Sequence, residues 1–180
     1  IFPDKISLSI DHHPVKDNEP FTYTWVDIAA PATGYMIWEL LKKSDKDLFD
    51  SQSATGLYTA LVTDTGSFRY NNTTADCHKM ASHLIESGVK PQEVTTHVYE
   101  SRKLLHIQLL GDALNGMQFA HDKKVAWVKL DNGQFLSRDA NSSDIEGFAD
   151  FVRSIENVEI AFTMIENKDG QIKLSFRSQG

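Results

Sequence analysis

The sequence predicts an α/β protein made of two units. Up to about residue 110, one short strand is followed by segments in which apolar residues recur every three or four positions, the spacing of amphipathic helices. After Gly111, short apolar segments separated by turn residues replace this pattern, as is typical of strands. A chain of 180 residues is long enough for two small domains, and we expect them at residues 1–112 and 113–180.

The first unit opens on a predicted strand whose carboxyl end is polar. Residues 5–10 alternate between polar and apolar side chains and lead directly into Asp11, His12 and His13. A loop rich in Asp, Asn and Pro follows as far as Pro31. Helical stripes then cover residues 31–41, 48–64, 73–86 and 91–110, the last with a break near residue 100. Gly66 follows the second stripe as a stop signal, so Asp64 is expected at the end of a helix.

The second unit is predicted to mix strands with one helix. Residues 117–120 and 125–130 are expected to form a hairpin and residues 145–155 a helix. Two further strands at residues 158–165 and 171–176 are joined at Asp169-Gly170. This order is typical of a second α/β unit.

Composition and charge narrow the class of protein. Hydrophobic residues make up 41% and charged residues 24%, the balance of a folded globular chain. The net charge of -7 argues against binding along long DNA, which needs a basic footprint, but allows a small anionic substrate held by a metal ion. Cys77 is the single cysteine, which excludes an intrachain disulfide, and no apolar run approaches the roughly 20 residues of a membrane span. We therefore expect a cytoplasmic protein with no membrane partner.

The first motif, Asp11-His12-His13, concentrates three ligand-type side chains at the end of a strand. One interpretation is a metal site at the carboxyl edge of an open α/β sheet, where crevices form. The other is a surface turn with two solvated histidines. Consecutive strand residues point to opposite faces, so two adjacent rings cannot both reach one ion from a regular strand. We expect one histidine to bind metal and the other to have a different role.

The second motif is Asp64-Thr65-Gly66. It is compatible with a carboxylate ligand, with a helix terminus that merely needs glycine, or with an aspartic protease. A protease would need a β-rich fold and two carboxylates that share a proton, whereas the surrounding sequence is helical. The first two interpretations stay open on the motif alone.

Taken in order, the motifs resemble the DHH phosphoesterase superfamily. The resemblance lies in residues 9–14 (SIDHHP), 61–74 (LVTDTGSFRYNNTT), 85–88 (IESG), 145–148 (IEGF) and 172–178 (IKLSFRS). It implies the C-terminal part of a DHH-type parallel-sheet domain with helices, followed by a smaller α/β DHH-associated substrate-binding domain. Within the superfamily the sequence is most similar to two-domain bacterial enzymes that act on nano-RNA and on 3'-phosphoadenosine 5'-phosphate.

The resemblance implies a role for four residues of the two motifs. His12 and Asp64 would be manganese ligands, an imidazole and a hard carboxylate that both suit Mn²⁺. Asp11 would orient a histidine or the metal shell from behind, and His13 would contact the substrate phosphate. Asp11 and His13 are therefore the expected catalytic residues.

Three further residues are implied in substrate binding. Arg69 follows the Asp-Thr-Gly turn, and Arg177 and Ser178 lie at the end of the last predicted strand. The resemblance implies that both arginines clamp phosphate oxygens, a role for which a planar guanidinium is well shaped. The alternatives are a surface cation at Arg69 and a solvated strand end at Arg177.

The implied function is hydrolysis of a phosphate ester with two Mn²⁺ ions. The substrates would be short oligoribonucleotides or 3'-phosphoadenosine 5'-phosphate, with a cyclic-dinucleotide phosphodiesterase and a non-catalytic nucleotide-binding module as alternatives. The sequence departs from the family, since it contains neither the early metal-binding motifs nor the late Gly-Gly-His segment. We therefore expect an internal fragment, lacking the N-terminal part of the first domain and the C-terminal part of the second, that by itself binds metal weakly and turns over little. A homodimer is left open.

Overall fold

The computed structural model describes residues 6–14, 21–44, 49–136, 140–166 and 170–178. The secondary structure falls into two units, Ile1–Glu100 and Ser101–Gly180, each with its own hydrophobic core. Across these described ranges, no helix combines the length and the apolar character needed to cross a membrane.

The first unit begins with two parallel strands. β1 (Leu8–Asp11) pairs with β2 (Tyr23–Val26), with Leu8 opposite Tyr23 and Asp11 opposite Val26. β1 overlaps the strand predicted at residues 5–10, of which residue 5 lies outside the described ranges. The prediction of a loop up to Pro31 is wrong at β2. Its four residues are too few to show an alternating pattern, and the strand is stabilised by pairing with β1.

Four helices follow and pack around one core: α1 (Thr33–Leu41), α2 (Ser51–Asp64), α3 (Ala75–Glu86) and α4 (Pro91–Tyr99). Each lies within a predicted helical stripe. α2 begins where the Asp50 carboxylate accepts a hydrogen bond from the backbone N–H of Ser53 at 2.7 Å. Leu61 of α2 and Met80 of α3 are completely buried, so these two helices supply the centre of the core.

A glycine brings α1 close to α2. A β-carbon on Gly34 would lie 2.8 Å from the Cβ of Ala60, a distance that real Cβ atoms essentially never show. Only glycine therefore permits this approach. The contact holds the beginning of α1 against the half of α2 that ends at Asp64, which is where the second motif begins.

The second unit starts with α5 (Leu104–Asn115) and continues into a four-stranded sheet of order β3-β4-β5-β6. The strands are β3 (Gln118–Ala120), β4 (Val125–Leu130), β5 (Ile160–Glu166) and β6 (Ile172–Ser178), and between β4 and β5 lie α6 (Asn132–Leu136) and α7 (Phe148–Arg153). The central pair β4–β5 is parallel, and both outer pairs are antiparallel. This confirms the predicted hairpin and the two later strands.

The helix predicted at residues 145–155 is shorter than expected. A 3₁₀ turn covers Ser142–Ile145, and α7 begins only at Phe148, because Gly147 between them has a φ of 84°. A left-handed residue cannot continue a right-handed helix. Of the predicted turn at Asp169-Gly170, Asp169 lies outside the described residues, and Gly170 has a φ of 73°.

The two units divide earlier than predicted. The expected boundary between residues 112 and 113 falls inside α5, whereas the structure separates Glu100 from Ser101. The physical reason is packing: Leu109 and Ala113 are fully buried in the core of the second unit, so the helix that carries them belongs to that unit. The assignment of the two units to a phosphoesterase domain and a substrate-binding domain stays a prediction.

Candidate functional site

The carboxyl ends of β1 and β2 form the edge on which the first motif lies. At this edge the backbone N–H of Asp27, the residue after β2, donates to the carbonyl of Asp11, the last residue of β1, at 3.1 Å. His12 and His13 follow the end of β1 in a bend, so strand alternation does not decide where their rings point. The rings lie 4.3 Å apart at an angle of 71° and have different partners.

Asp11 holds His13. Its Oδ1 accepts hydrogen bonds from the backbone N–H of His12 at 2.7 Å and of His13 at 3.1 Å, and Nδ1 of His13 lies 2.8 Å away. These hydrogen bonds, first of all that of the His13 side chain, lower the pKa of Asp11 to about 2. The carboxylate is therefore ionised at neutral pH. The side chain of His13 is 71% exposed, and its other ring nitrogen, Nε2, takes no part in the contact with Asp11.

His12 points toward Asp64 instead. Its Nδ1 lies 3.3 Å from the carbonyl oxygen of Ala30, and because a carbonyl can only accept, Nδ1 carries the proton of the neutral ring. In that tautomer Nε2 carries the lone pair, and it lies 3.5 Å from Oδ2 of Asp64. That distance is long for a charge-assisted hydrogen bond. An imidazole nitrogen and a carboxylate oxygen thus converge, a pair of ligand atoms that fits a divalent cation.

Asp64 is the last residue of α2, and the turn after it is left-handed. Residues 66–68 have φ values of 56°, 59° and 61°, a conformation that only glycine adopts without strain. The buried Thr65 stabilises this turn, since its Oγ1 accepts a hydrogen bond from the backbone N–H of Phe68 at 3.1 Å. The ring of Tyr70 packs against Gly66, where an added β-carbon would meet it at 2.4 Å. The second motif is therefore a helix end that places the Asp64 carboxylate opposite His12.

Arg69 leaves this turn with part of its guanidinium already bound. Its Nε donates to the carbonyl of Gly66 at 2.7 Å. This hydrogen bond fixes the plane of the group and leaves its two terminal NH₂ groups as donors for an anion. Arg69 is exposed, so the structure is compatible with its predicted role, and that role stays a prediction.

Asn72, which the sequence did not mark as a site residue, hydrogen-bonds to backbone groups near both motifs. Nδ2 of Asn72 donates to the carbonyls of Pro31 and Asp64, each at 3.1 Å. Asn72 lies inside the motif at residues 61–74, but nothing in the residue type shows which backbone groups it will meet. Only the fold brings residues 31, 64 and 72 together.

In the second unit, Arg177 lines a cavity of about 400 Å³. Its Nε donates to Oδ1 of Asp150 at 2.8 Å and its Nη1 to the carbonyl of Phe176 at 2.9 Å. Asp150 lies in α7, so the ion pair orients the guanidinium over the cavity. Part of the donor fork remains for an anion.

Ser178 does not share this face of the sheet. Neighbouring residues of a strand point to opposite sides, so Arg177 and Ser178 cannot bind one phosphate from the same face of β6. Ser175 and Lys173 alternate with Arg177 and line the same cavity. A hydroxyl and an ammonium group therefore lie beside the guanidinium, and the period-two pattern of the strand could have indicated both.

Comparison with solved structures identifies the fold class of the chain. An exopolyphosphatase-related protein from Bacteroides fragilis superposes with a TM-score of 0.89 at 26% sequence identity, covering 98% of this chain and 52% of that one. No family model matches the chain. The predicted α/β fold class is confirmed by this superposition.

Two curated relatives show which named enzymes the chain is similar to. The bifunctional oligoribonuclease and PAP phosphatase NrnA of Bacillus subtilis is 28% identical over an alignment of 178 residues that covers 96% of this chain and 55% of the relative. The protein of the same name from Thermus thermophilus is 27% identical over 174 residues, 96% of this chain and 51% of the relative. The chain thus spans about half the length of these relatives. The resemblance to the DHH phosphoesterase superfamily is confirmed, and the chain is a homologue of phosphate-ester hydrolases.

Proposed function

We propose that this chain carries part of the active site of a Mn²⁺-dependent phosphoesterase that hydrolyses short oligoribonucleotides, 3'-phosphoadenosine 5'-phosphate or both. The observation that supports the proposal most strongly is the convergence of Nε2 of His12 and Oδ2 of Asp64 at 3.5 Å, from segments far apart in sequence. The names of the two curated relatives support the substrate classes.

His12 and Asp64 are the residues that would hold a divalent ion. An imidazole and a carboxylate together suit Mn²⁺, and the hydrogen bond from Nδ1 of His12 to Ala30 is the kind of support that orients a metal-binding histidine. A bound divalent ion acts as a Lewis acid toward water and toward phosphoryl oxygens. We propose two such ions in the full-length protein, as in the family.

The remaining side chains would bind and orient the substrate. His13 donates through Nδ1 to the ionised Asp11, and with both ring nitrogens protonated its Nε2–H would donate to a phosphate oxygen, which is the contact we propose for it. Asp11 acts through His13 by fixing the direction of its ring. Arg69 and Arg177 are proposed phosphate-binding residues of the first and second unit, each with part of its guanidinium bound by the protein and part left for the anion.

A substrate panel with matched variants tests the proposal. The full-length protein would be assayed with Mn²⁺ on labelled RNA dimers to pentamers, 3'-phosphoadenosine 5'-phosphate, a cyclic dinucleotide and pyrophosphate. We expect turnover of the first two classes, and a loss of about 100-fold or more in His12→Ala and Asp64→Asn, at or beyond the upper end of what loss of a supporting residue costs. His97→Ala, an exposed histidine in α4, is the control.

Three outcomes would contradict the proposal in different ways. Unchanged turnover in His12→Ala and Asp64→Asn would refute the metal site. Faster cleavage of the cyclic dinucleotide would assign the phosphodiesterase alternative. Nucleotide binding without any product at saturating Mn²⁺ would favour the alternative of a non-catalytic nucleotide-binding module.

We also propose that the protein works in a reducing cytoplasm, because its single cysteine, Cys77, is buried and forms no disulfide.

A further inference from the structure

We infer that Asn72 is a positioning residue for the proposed metal site. The inference rests on the proposed function, because it concerns how His12 and Asp64 are held at a distance from which both can bind one ion. Asn72 lies between α2 and α3, in a segment without regular secondary structure. Its side chain hydrogen-bonds to one backbone carbonyl near each of the two proposed ligands.

The side chain of Asn72 hydrogen-bonds to two other segments of the chain. Both hydrogen bonds of its Nδ2 group end on carbonyl oxygens, of Pro31 and Asp64, at 3.1 Å each. The two acceptors fix the orientation of the amide, since a flipped amide would place oxygen against oxygen. Its own Oδ1 is buried and has no hydrogen-bond partner among the described residues. A buried acceptor without a partner is unfavourable, so satisfying Asn72 itself does not explain this arrangement.

The two carbonyls belong to the segments that place the ligands. Asp64 is one proposed ligand, and Asn72 holds its backbone at the end of α2. Pro31 follows Ala30, whose carbonyl holds Nδ1 of His12 at 3.3 Å. One side chain therefore ties the backbone of Asp64 to the residue next to the one that orients His12. A change in this bridge alters the distance between the two ligand atoms.

Residues 30–33 act as a common frame for the site. Ala30, Pro31 and Ala32 are buried, so this segment offers fixed carbonyl groups. Its last residue, Thr33, places Oγ1 3.5 Å from Oδ1 of Asp11. The frame thus contacts His12 and Asp11 directly, and it reaches Asp64 through Asn72. Of these connections, the one to Asp64 depends on a side chain that sequence reasoning did not single out.

Mn²⁺ affinity measured apart from turnover tests this role. The signal of free Mn²⁺ in electron paramagnetic resonance titrations gives the affinity of the full-length protein and of Asn72→Ala, Asn72→Asp and Asn71→Ala. Asn72→Asp keeps the size of the side chain and removes both N–H donors. We expect both Asn72 variants to bind Mn²⁺ about 10- to 100-fold more weakly, as is usual when a residue that supports a ligand is lost. Asn71→Ala, at the exposed neighbouring position, should bind as the unchanged protein does.

The titrations separate a positioning role from a purely structural one. A residue that only stabilises the fold would lower the melting temperature and leave the Mn²⁺ affinity of the folded protein unchanged, and that result in Asn72→Asp would overturn the inference. His12→Ala in the same titration separates this inference from the proposed function. If His12→Ala loses Mn²⁺ and the Asn72 variants do not, only the positioning role is wrong. If His12→Ala also binds Mn²⁺ normally, the metal site is wrong and the positioning role fails with it.

Discussion

Replacing Gly66 by alanine tests the turn that places Asp64. Gly66 has a φ of 56°, in the left-handed region where a residue with a β-carbon costs about 1–2 kcal/mol. The added carbon would lie 2.4 to 2.6 Å from three atoms of the Tyr70 ring, whereas carbon atoms pack best at about 3.5–4.0 Å. Tyr70 is 42% exposed, so its ring can swing into solvent and the backbone need not open.

The two effects together give the expected magnitude. Moving a half-exposed ring lies at the low end of overpacking costs, about 1 kcal/mol. Added to the backbone strain, Gly66→Ala should lower the free energy of unfolding by about 2–3 kcal/mol. Because Asp64 lies two residues away, the same variant should also weaken Mn²⁺ binding.

Gly56 in α2 provides a matched control. A β-carbon there meets no atom within 4 Å, and the residue lies inside a helix. Alanine has a higher helix propensity than glycine by about 0.8–1.0 kcal/mol, so Gly56→Ala should raise the free energy of unfolding by up to that amount. The same chemical change is thus expected to act with opposite sign at two nearby positions.

Urea unfolding at 25 °C, followed by far-ultraviolet circular dichroism, measures both variants. The difference between them should be about 3 kcal/mol. If Gly66→Ala is as stable as the unchanged protein, the turn does not require a left-handed residue at position 66, and our account of how Asp64 is placed is refuted.

Three further predictions concern individual side chains. His12→Ala should weaken Mn²⁺ binding by about 100-fold or more, whereas His13→Ala should leave the Mn²⁺ affinity within about twofold and lower kcat by about 10²–10³, as loss of one donor to a phosphoryl oxygen does; equal losses of Mn²⁺ affinity in the two variants would contradict the geometry. Burial, with a smaller contribution from the charge of Arg102, lowers the pKa of His106 below its usual 6.5. The folded state therefore favours the neutral ring, so this contribution to stability is complete above pH 6.5 and is lost as the pH falls below it. Urea unfolding between pH 7.5 and 5.5 should show a smaller decline in His106→Gln, and an identical decline would show that His106 does not titrate in this way. Arg177→Lys should weaken binding of 3'-phosphoadenosine 5'-phosphate in calorimetry by roughly 10- to 100-fold, because an ammonium group cannot hold Asp150 and a phosphate in the same plane; unchanged affinity would exclude Arg177 from the binding site.

Several elements could be predicted because their causes are local. α3 carries its apolar stripe, its preceding Thr74 and its terminal Gly88 within one short stretch of sequence, and its bounds are close to those expected. The hairpin of β3 and β4 likewise depends on residues that are near in the chain. By contrast, β2 has no sequence pattern of its own and owes its strand conformation to its neighbour β1.

The candidate site shows the same division. Its residue types and their order, Asp11-His12-His13 followed by Asp64-Thr65-Gly66, are visible in the sequence and indicate the superfamily. That His12, not His13, belongs with Asp64 was implied by the resemblance alone; the residue types do not distinguish the two rings, because the orientation of His12 depends on the carbonyl of Ala30, a group that every residue possesses.

The sequence by itself determined the α/β class, most of the helices and the candidate ligand types, since these follow from side-chain chemistry and periodicity along the chain. The tertiary structure alone decided how His12 and Asp64 are held 3.5 Å apart, that Asn72 links their surroundings, and that Ser175, not Ser178, shares the face of Arg177. The physical reason is that these relations are distances between backbone segments far apart in sequence. Such distances are set by the packing of whole helices, as at Gly34 and Ala60, and leave no local pattern in the residues that they bring together.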